Sequence, residues 1–420
     1  MDRRHFFQSM AAAATTGIGK SAAERVNIAI IGLHSRGRAL AGVFARIPDA
    51  NIQYLVDVDE RAVGPVLEDL QKANAAKPKV VSDMRRVFDD KSIDAVAIAT
   101  PDHWHAPAAI MACDAGKDVY VEKPCSHNIR EGRLLVEAAR RNKRIVQHGT
   151  QARSRQAAIE AMDFIHSGKI GTVHMAKAWD VQKRQDIGHK ADSPVPAGVD
   201  FDTWIGPAVF MPFNENRYHY TWHWNWNFGT GDMGNDGAHQ IDMARWALGV
   251  DYPTEIAGMA RKLYFQDDQQ TPDSMNITFD YGDKALIWEM RIWNPYGMDE
   301  MENGVAVYGT EGMVHIGRYN RKWGFKVFDK AGKLVQHDDT TDPELHQKNF
   351  IESVRSRKLP NADIGIGHLT AVHCHLANIV SRTGRNLRFD PGTETVIDDP
   401  EANLYVKRTY RTHWGTPKML

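Results

Sequence analysis

Short apolar runs alternate with helical patterns over the first third of the chain, and this alternation restricts the fold more than any other feature of the sequence. The runs with strand character lie at residues 26–31, 52–58, 94–100, 119–121 and 144–149. Strands that are joined through helices form parallel sheets with helices on both faces. We therefore predict a doubly wound parallel sheet of the Rossmann type over residues 26–150.

A different pattern begins near Thr150. A long loop is predicted over residues 182–216, and alternating strand patterns with tight turns fill most of the chain from Pro253 to Asp329. Such alternation predicts a mostly antiparallel sheet with one packed face and one open face. The predicted fold class is α/β, with an α+β domain over residues 151–420. We expect the open face to join copies of the chain into a homo-oligomer, either a dimer or a tetramer.

The composition narrows the functional class. The 420-residue chain has a formal charge of −1 at pH 7 and no basic block, so nothing indicates a nucleic-acid partner. No apolar run is long enough to span a bilayer. Three cysteines without a C-x-x-C pair predict neither a disulfide framework nor a metal site. These features are typical of an ordinary soluble globular protein.

The amino terminus has the layout of an export signal. Arg3 and Arg4 precede two phenylalanines, and a mildly apolar stretch follows from Met10 to Gly19. This order matches a twin-arginine signal, which precedes the mature fold. We expect residues 1–25 to lie outside the fold and the protein to be periplasmic or otherwise exported. The alternative is a tail with a chance arginine pair in a cytoplasmic protein.

The turn after the first strand suits a dinucleotide. Gly32 and Gly37 hold the first and third positions of a G-x-G-x-x-G fingerprint, while His34 replaces the second glycine. Backbone amides at the start of the following helix still provide an anion site, and Arg36 adds a charge. Asp57 ends the second strand, where a ribose 2′-hydroxyl is held and a 2′-phosphate is repelled. The cofactor is therefore expected to be NAD rather than NADP.

A lysine follows the apolar strand at 119–121. Glu122, Lys123 and Pro124 come directly after this strand, at the sheet edge where open α/β folds bind their ligands. This position predicts a functional ammonium group at Lys123. A surface Lys-Glu pair is the alternative.

These segments together resemble one family. The sequences GLHSRG at 32–37, VDVDERA at 56–62 and AIATPDHWHAPAAIMACDAGKDVYVEKP at 97–124 resemble the Gfo/Idh/MocA oxidoreductases, and the similarity continues through the second half. The resemblance implies that Lys123 lies beside the nicotinamide ring and the substrate hydroxyl. It also implies that His103 and His105 border the cofactor, although capping or packing is the alternative for each. The residues expected to contact the cofactor are Gly32, His34, Ser35, Arg36, Gly37, Asp57, Thr100, His103, His105, Glu122 and Lys123.

An aromatic segment, RYHYTWHWNW, occupies residues 217–226. Aromatic rings beside polar groups can form a carbohydrate platform, because the C–H faces of a sugar pack on rings while its hydroxyls need polar partners. Tyr218 and Trp222 are assigned to the substrate on this basis, and an interdomain or subunit contact is the alternative. A zinc site from His219 and His223 is disfavoured because no third ligand has a suitable spacing.

A polar stripe begins the helix predicted over residues 236–248. Asn235, His239 and Asp242 recur at steps of four and three, so they share one helix face. The resembled family has D-x-G-x-H-x-x-D here, with its first Asp and its His near the substrate. Asn235 replaces that Asp and cannot take a proton, which leaves His239 as the predicted base. We expect Asn235 to orient the sugar, and Asp242 to contact the substrate and fix the imidazole tautomer. A structural role for His239 is the alternative.

Together these assignments predict a reaction. Oxidation of a secondary alcohol by hydride transfer needs a base for the hydroxyl proton and a charge that stabilises the alkoxide, the roles given to His239 and Lys123. We predict an NAD-dependent oxidoreductase that acts on a secondary hydroxyl of a sugar or glycoside. An exported enzyme has no pool of free NAD(H), so it would hold its cofactor tightly and recycle it internally. Two alternatives remain open: an NAD-dependent glycosidase that oxidises C3 transiently and eliminates the aglycone, and a noncatalytic protein that binds NAD or a sugar.

Overall fold

The structure, a computed structural model, describes residues 25–298, 301–319, 322–338 and 344–418. All but the last residue of the predicted export signal therefore lie outside the described residues. Two sheets organise the described chain, one purely parallel and one mostly antiparallel. This arrangement confirms the predicted fold class.

The first sheet is built from the amino-terminal part of the chain. Its strands are β1 (Val26–Ile31), β2 (Ala50–Val56), β3 (Lys79–Val81), β4 (Ala95–Ile98), β5 (Asp118–Val121) and β6 (Val146–His148). The helices between them are α1 (Ser35–Arg46), α2 (Val63–Lys72), α3 (Arg85–Asp89), α4 (Asp102–Asp114) and α5 (Ile129–Arg141). The strands are all parallel, in the order β3-β2-β1-β4-β5-β6. The order reverses between β1 and β4, and ligands of such sheets bind at this switch point.

The second sheet has ten strands. They are β7 (Val173–Asp180), β8 (Glu255–Arg261), β9 (Ser274–Asp280), β10 (Ala285–Arg291), β11 (Asn303–Gly309), β12 (Gly312–Tyr319), β13 (Lys322–Asp329), β14 (Leu334–Asp338), β15 (Leu387–Asp390) and β16 (Thr395–Val396). Their order is β14-β13-β12-β11-β7-β10-β9-β8-β15-β16. β7 pairs in parallel with β10, while the other neighbours are antiparallel. The helices of this half are α6 (Gln156–His166), α7 (Phe201–Ile205), α8 (Ala238–Leu248), α9 (Leu345–Ser356), α10 (Ile364–Thr383) and α11 (Pro400–Asn403).

The helix predicted over residues 236–248 begins two residues later, as α8. A π-helical turn, Met233–Gly237, precedes it and carries Asn235. Single π-helical turns are frequent at functional sites because they re-aim side chains out of the regular spiral. The sequence pattern predicted that Asn235 and His239 share one regular helix face. The π-helical turn shows that they do not.

Two late helices return to the first sheet. Phe350 of α9 packs in the same apolar cluster as Ile28 of β1, and Ala371 of α10 packs in the cluster that contains Val119 of β5. All four side chains are fully buried. Burial of this apolar area stabilises both halves, so the second half of the described chain completes the core of the first sheet.

The long loop after β7 also reaches the first sheet. The backbone amide of Asp200 donates to the carbonyl of Val58 at 2.9 Å, and the amide of Glu60 donates to the carbonyl of Gly198 at 3.0 Å. This loop therefore forms a wall opposite the carboxyl ends of the parallel strands. Among the described helices, each is too short or too polar to cross a bilayer.

Candidate active site

A cleft follows the carboxyl edge of the first sheet and is closed on its other side by residues of the second half. Asp57, after β2, lies at one end of this cleft, and Lys123, after β5, lines it further along. Nine of the residues predicted to contact the cofactor line the cleft, namely Gly32, His34, Ser35, Arg36, Asp57, Thr100, His105, Glu122 and Lys123. The structure therefore brings to one surface side chains that lie up to 91 residues apart in the sequence, from Gly32 to Lys123.

The glycine turn has the tight geometry that a dinucleotide requires. Gly32 has φ +83°, and a Cβ there would lie 2.7 Å from the carbonyl oxygen of Ala99. A Cβ on Gly37 would lie 1.7 Å from the carbonyl oxygen of Gly32, so this position admits no side chain. The first and third glycines thus allow the close packing of strand and helix that brings backbone amides to a pyrophosphate. The turn fits the cofactor even though His34 holds the second position.

Asp57 is fixed by the same turn. Its Oδ2 accepts a hydrogen bond from the amide of Leu33 at 2.6 Å, and its Oδ1 accepts one from the amide of Asp59 at 2.9 Å. Each carboxylate oxygen has a further lone pair, so Asp57 can still accept ribose hydroxyls. Its position at the end of the cleft fits an adenosine ribose.

Arg36 does not extend freely toward a phosphate. Its Nε lies 2.7 Å from Oε1 of Glu122, which is buried in the wall of the cleft. Burial opposes ionisation of Glu122, but the charges of Arg36 and Lys123 outweigh it and hold the pKa of Glu122 at about 2. The prediction that Arg36 adds an independent charge is therefore corrected: its charge is matched by Glu122.

Lys123 makes a direct contact with the second half. Its Nζ donates to Oδ1 of Asn235 at 2.7 Å. The amide nitrogen of Asn235 donates to Oδ1 of Asp232 and to Oδ2 of Asp236, both at 3.2 Å. These two acceptors fix the orientation of the amide, so that its oxygen faces the ammonium group. Lys123 is held in place across the interface between the two sheets.

Arg184 supports this contact by binding both acceptors of the Asn235 amide, and no sequence pattern predicted it. Its Nη2 donates to Oδ1 of Asp232 at 2.6 Å and also bonds to Asp236, while its Nη1 donates to the hydroxyl of Tyr220 at 2.9 Å. Burial opposes ionisation of Asp232, but the Arg184 charge outweighs it and lowers the pKa of Asp232. Burial, and then Asp236 and Asp232, raise the pKa of the neighbouring Asp180 well above its usual range.

Asp242 is not the partner of His239. Its two carboxylate oxygens accept hydrogen bonds from Arg153 at 2.8 and 3.0 Å, and one also accepts from Thr370 at 2.9 Å. Asp242 is fully buried and does not line the cleft. The predictions that it orients the imidazole and contacts the substrate are wrong, because an ion pair with Arg153 turns it into the core.

His239 itself is half-buried beside Lys123. Burial, and after it the Lys123 ammonium, lower the pKa of His239 to about 3. Within the part of the chain that the structure describes, neither ring nitrogen forms a hydrogen bond. The role of His239 as a base stays a prediction, since no side chain fixes its tautomer.

The two histidines of α4 have different positions. His103 is fully buried, away from the cleft lining, with its ring nitrogens 2.9 Å from the carbonyl oxygen of Trp204 and 3.3 Å from that of Phe228. Its predicted cofactor contact is therefore wrong, and packing is its role. His105 lines the cleft, where its ring bonds to the carbonyl oxygens of Thr100 and Pro124 at 2.8 and 2.6 Å.

The aromatic segment divides between packing and the cleft. Tyr218 is 4% exposed, packs against Trp204, and donates its hydroxyl to Oδ2 of Asp59 at 3.3 Å. It lines the cleft on the side of Asp57 and Asp59, and its contact with a sugar stays a prediction. Trp222 lines the cleft and stacks on His223 with the ring centroids 3.6 Å apart. Its contact with a sugar stays a prediction.

Family models and individual proteins match this chain. Residues 26–150 match the model described as the oxidoreductase family, NAD-binding Rossmann fold, and residues 172–416 match the model of the C-terminal alpha/beta domain of the same oxidoreductases. Together the two models cover most of the chain.

Three individual proteins illustrate the range of similarity. Glycosyl hydrolase family 109 protein 1 of a Shewanella species is 26% identical over 178 residues, which are 40% of this chain and 39% of that protein. The scyllo-inositol 2-dehydrogenase (NAD+) of Bacillus subtilis is 27% identical over 287 residues, 66% of this chain and 72% of that protein. The solved structure of levoglucosan dehydrogenase with NADH and levoglucosan superposes with a TM-score of 0.67 at 17% identity, over 87% of this chain and 99% of that one. The matched part of the chain thus spans about two fifths of the length of the first of these relatives.

Proposed function

The chain belongs to the Gfo/Idh/MocA oxidoreductase family, and on that premise we propose that it oxidises a secondary hydroxyl of a sugar or glycoside with NAD as the hydride acceptor. One observation carries the proposal: a single cleft joins the glycine turn and Asp57 to the Lys123–Asn235 contact. The first part suits a dinucleotide and the second suits a polar substrate. Both the levoglucosan and the scyllo-inositol dehydrogenases are named for polyhydroxylated substrates.

Lys123 and Asn235 have distinct roles in this reaction. The Lys123 ammonium stabilises the negative charge that develops on the hydroxyl oxygen, which makes the proton easier to remove. Asn235 holds the ammonium, and the second lone pair of its Oδ1 can accept a hydrogen bond from a substrate hydroxyl. NAD, when bound, supplies the acceptor for the hydride. Burial, and then the nearby Lys123 charge, lower the pKa values of two imidazoles, His223 and His239, to about 3.

Contacts across the cleft support a tightly held, internally recycled cofactor. The ring of His34 in the glycine turn stacks on His219 with centroids 4.3 Å apart, and Nε2 of His219 lies 3.2 Å from Oδ2 of Asp59. These residues bridge the turn and the second half directly beside Asp57. Release of a dinucleotide would require this bridge to open, so the exchange of cofactor is expected to be slow relative to turnover.

The experiment that tests this proposal starts with the purified protein. Denaturation is expected to release NAD or NADH in near-stoichiometric amount, identified by mass spectrometry. Addition of a panel of sugars and polyols to the native protein is then expected to change the redox state of that dinucleotide. A protein that carries no dinucleotide and binds none when NAD is supplied would contradict the proposal.

A second function is favoured by one relative. The Shewanella protein is named as a glycosyl hydrolase, and a glycosidase that oxidises C3 transiently needs the same cleft and returns the cofactor to its starting state. An aryl glycoside separates the two functions. Release of the phenol without an added hydride acceptor supports the glycosidase, whereas reduction of bound NAD without phenol release supports the dehydrogenase.

The open face of the second sheet supports a homo-oligomer. Met175 of β7 and Tyr308 of β11 are directly paired on this face and are 39% and 37% exposed, and Met259 of β8 adds a further exposed apolar side chain. A large apolar patch that remains exposed marks an interaction surface. Analytical sedimentation of the purified protein tests this proposal.

We also propose export through the amino-terminal Arg3-Arg4 segment. Fractionation of expressing cells tests this proposal.

A further inference from the structure

His223 occupies a position that its sequence pattern did not reveal. It lies in the short 3-10 helix His219–Trp224, is 8% exposed, and lines the cleft together with Lys123 and Asn235. Burial, and then the Lys123 ammonium, lower its pKa to about 3, so the ring is neutral at pH 7.

The backbone fixes the tautomer of this neutral ring. Nδ1 of His223 lies 2.5 Å from the carbonyl oxygen of Tyr220. A carbonyl oxygen can only accept a hydrogen bond, so Nδ1 carries the hydrogen and Nε2 carries the lone pair. Within the described residues, no protein group binds Nε2. The free lone pair belongs to a residue in the wall of the cleft.

The ring is also held in one orientation. Its face stacks on Trp222 with an interplanar angle of 18°, and Tyr220 packs beside it with centroids 4.7 Å apart. The next residue, Trp224, donates from Nε1 to Oδ2 of Asp232 at 2.8 Å. A base that is positioned in advance loses little entropy when it reacts, and this favours proton transfer at Nε2.

His239 lacks these features. It has the same lowered pKa from the same causes, but within the described chain no hydrogen bond fixes its tautomer and it does not line the cleft. The expected partner, Asp242, is paired with Arg153 instead. Of the two imidazoles near Lys123, only His223 is both oriented and open to the cleft.

We propose that Nε2 of His223 accepts the hydroxyl proton of the substrate during its oxidation. This inference rests on the proposed function. The O–H bond breaks and an N–H bond forms at Nε2, while the electron pair of the neighbouring C–H bond leaves as hydride to the bound nicotinamide and the carbon becomes a carbonyl. The proton returns from Nε2 to the substrate oxygen when the carbonyl is reduced again, so a full cycle leaves His223 unchanged.

Two matched variants test the proposal, H223Q and H239Q. Dinucleotide content and the affinity for a sugar are measured first by mass spectrometry and calorimetry, and both are expected to stay within about threefold of wild type in H223Q. Hydride transfer, followed at 340 nm in a single turnover, is expected to fall about 10²- to 10⁴-fold in H223Q and less than tenfold in H239Q. Retained hydride transfer in H223Q, or a larger loss in H239Q, overturns the proposal.

A measurement independent of turnover separates this inference from the proposed function. The imidazole ¹⁵N spectrum of the native protein, assigned by comparison with H223Q, is expected to show a neutral His223 ring protonated at Nδ1. A ring protonated at Nε2 overturns the inference even if the protein oxidises sugars. If the wild-type protein shows the expected tautomer but none of the sugars tested reduces its dinucleotide, the proposed function is refuted, and the inference falls with it.

Discussion

His223 and His239 approach the Lys123 ammonium from two regions of the second half that are built differently. His239 lies in the first turn of α8, a regular helix packed under the second sheet. His223 lies in a short 3-10 helix held by a backbone carbonyl, a stacked indole and the Trp224–Asp232 hydrogen bond. The regular helix places its histidine near the charge, but no group among the described residues forms a hydrogen bond to the ring. The irregular segment orients its ring completely.

The difference shows where preorganisation comes from in this site. A helix fixes the backbone, and a side chain on it still needs a partner that sets its rotamer and tautomer. The segment 219–224 supplies two of those partners itself, the Tyr220 carbonyl and the Trp222 ring, and Asp232 anchors Trp224, so its geometry is set within the second half. The comparison predicts that changes to these partners affect His223 more than His239.

The largest expected effect removes the charge that both histidines share. Lys123→Ala is expected to lower turnover by about 10²- to 10³-fold, because the alkoxide loses its stabilising charge. The pKa values of His223 and His239 are both expected to rise, since one of the causes that lowers them is gone, and NMR titration measures this rise. Lys117→Ala, at the other end of β5, is the control, because the Lys117 ammonium donates to the backbone carbonyls of Asp90 and Ile93, away from the cleft. Full activity in Lys123→Ala rejects the assignment.

A second change compares the ion pair behind the cleft with one in the core. Asp232→Asn and Asp242→Asn each remove the carboxylate charge that pairs with a largely buried arginine, Arg184 or Arg153, so each is expected to lower the free energy of unfolding by about 3 kcal/mol. Only Asp232→Asn is also expected to lower turnover, by about tenfold by analogy with a lost hydrogen bond to a charged group. Urea unfolding and steady-state kinetics measure the two effects. Equal turnover in both variants would show that the Asp232 network does not support the site.

Stability at mildly acid pH sharpens the comparison of the two rings. The folded pKa of His223, about 3, lies below the unfolded value of about 6.5. The unfolded chain therefore binds more protons between these values, so the free energy of unfolding decreases as the pH falls through this window. Between pH 7 and pH 5, His223 alone is expected to account for about 2 kcal/mol of this loss. The free energy of unfolding lost between pH 7 and pH 5 is expected to be smaller in H223Q than in the wild type. The decrease is expected to be less in H239Q, because the ring of His239 is more exposed. An unchanged pH dependence in H223Q contradicts a neutral ring.

The smallest expected effect concerns the bridge over the cofactor. His219→Ala removes the stack on His34 and the contact with Asp59, and the dinucleotide is expected to dissociate about tenfold faster, the equivalent of about 1.4 kcal/mol. His189→Ala is the matched control, since His189 also pairs with an aspartate, Asp268, but lies outside the cleft. Dissociation is followed by exchange with labelled NAD. Equal rates in the two variants would show that the bridge does not retain the cofactor.

The sequence predicted the parts of this molecule that depend on local pattern. The strand–glycine–helix turn, the position of Asp57 and the placement of Lys123 after a buried strand all follow from short-range periodicity and from the rule that ligands bind at the carboxyl edge. Short strands such as β3, with mostly exposed residues, leave no apolar run and were not predicted.

The second half of the site depends on long-range contacts and escaped the sequence pattern. Asp242 has the right spacing from His239 on a helix, but a distant Arg153 pairs with it. Arg184 lies in a loop without periodicity, and its partners Asp232 and Tyr220 are about 36 to 48 residues away. His223 is oriented by near neighbours, the carbonyl of Tyr220 and the ring of Trp222, but its 3-10 segment has no periodic pattern from which this could be predicted.

The absorbance of the purified protein at 340 nm tests the central claim most directly, with sugars or glycosides added and no cofactor supplied. The account predicts a rise for at least one substrate, with an amplitude that matches the dinucleotide released on denaturation, and a rise about 10²- to 10³-fold slower in Lys123→Ala that still carries the dinucleotide. A wild-type protein that contains NAD but shows neither reduction nor glycoside cleavage with any member of the panel would contradict it.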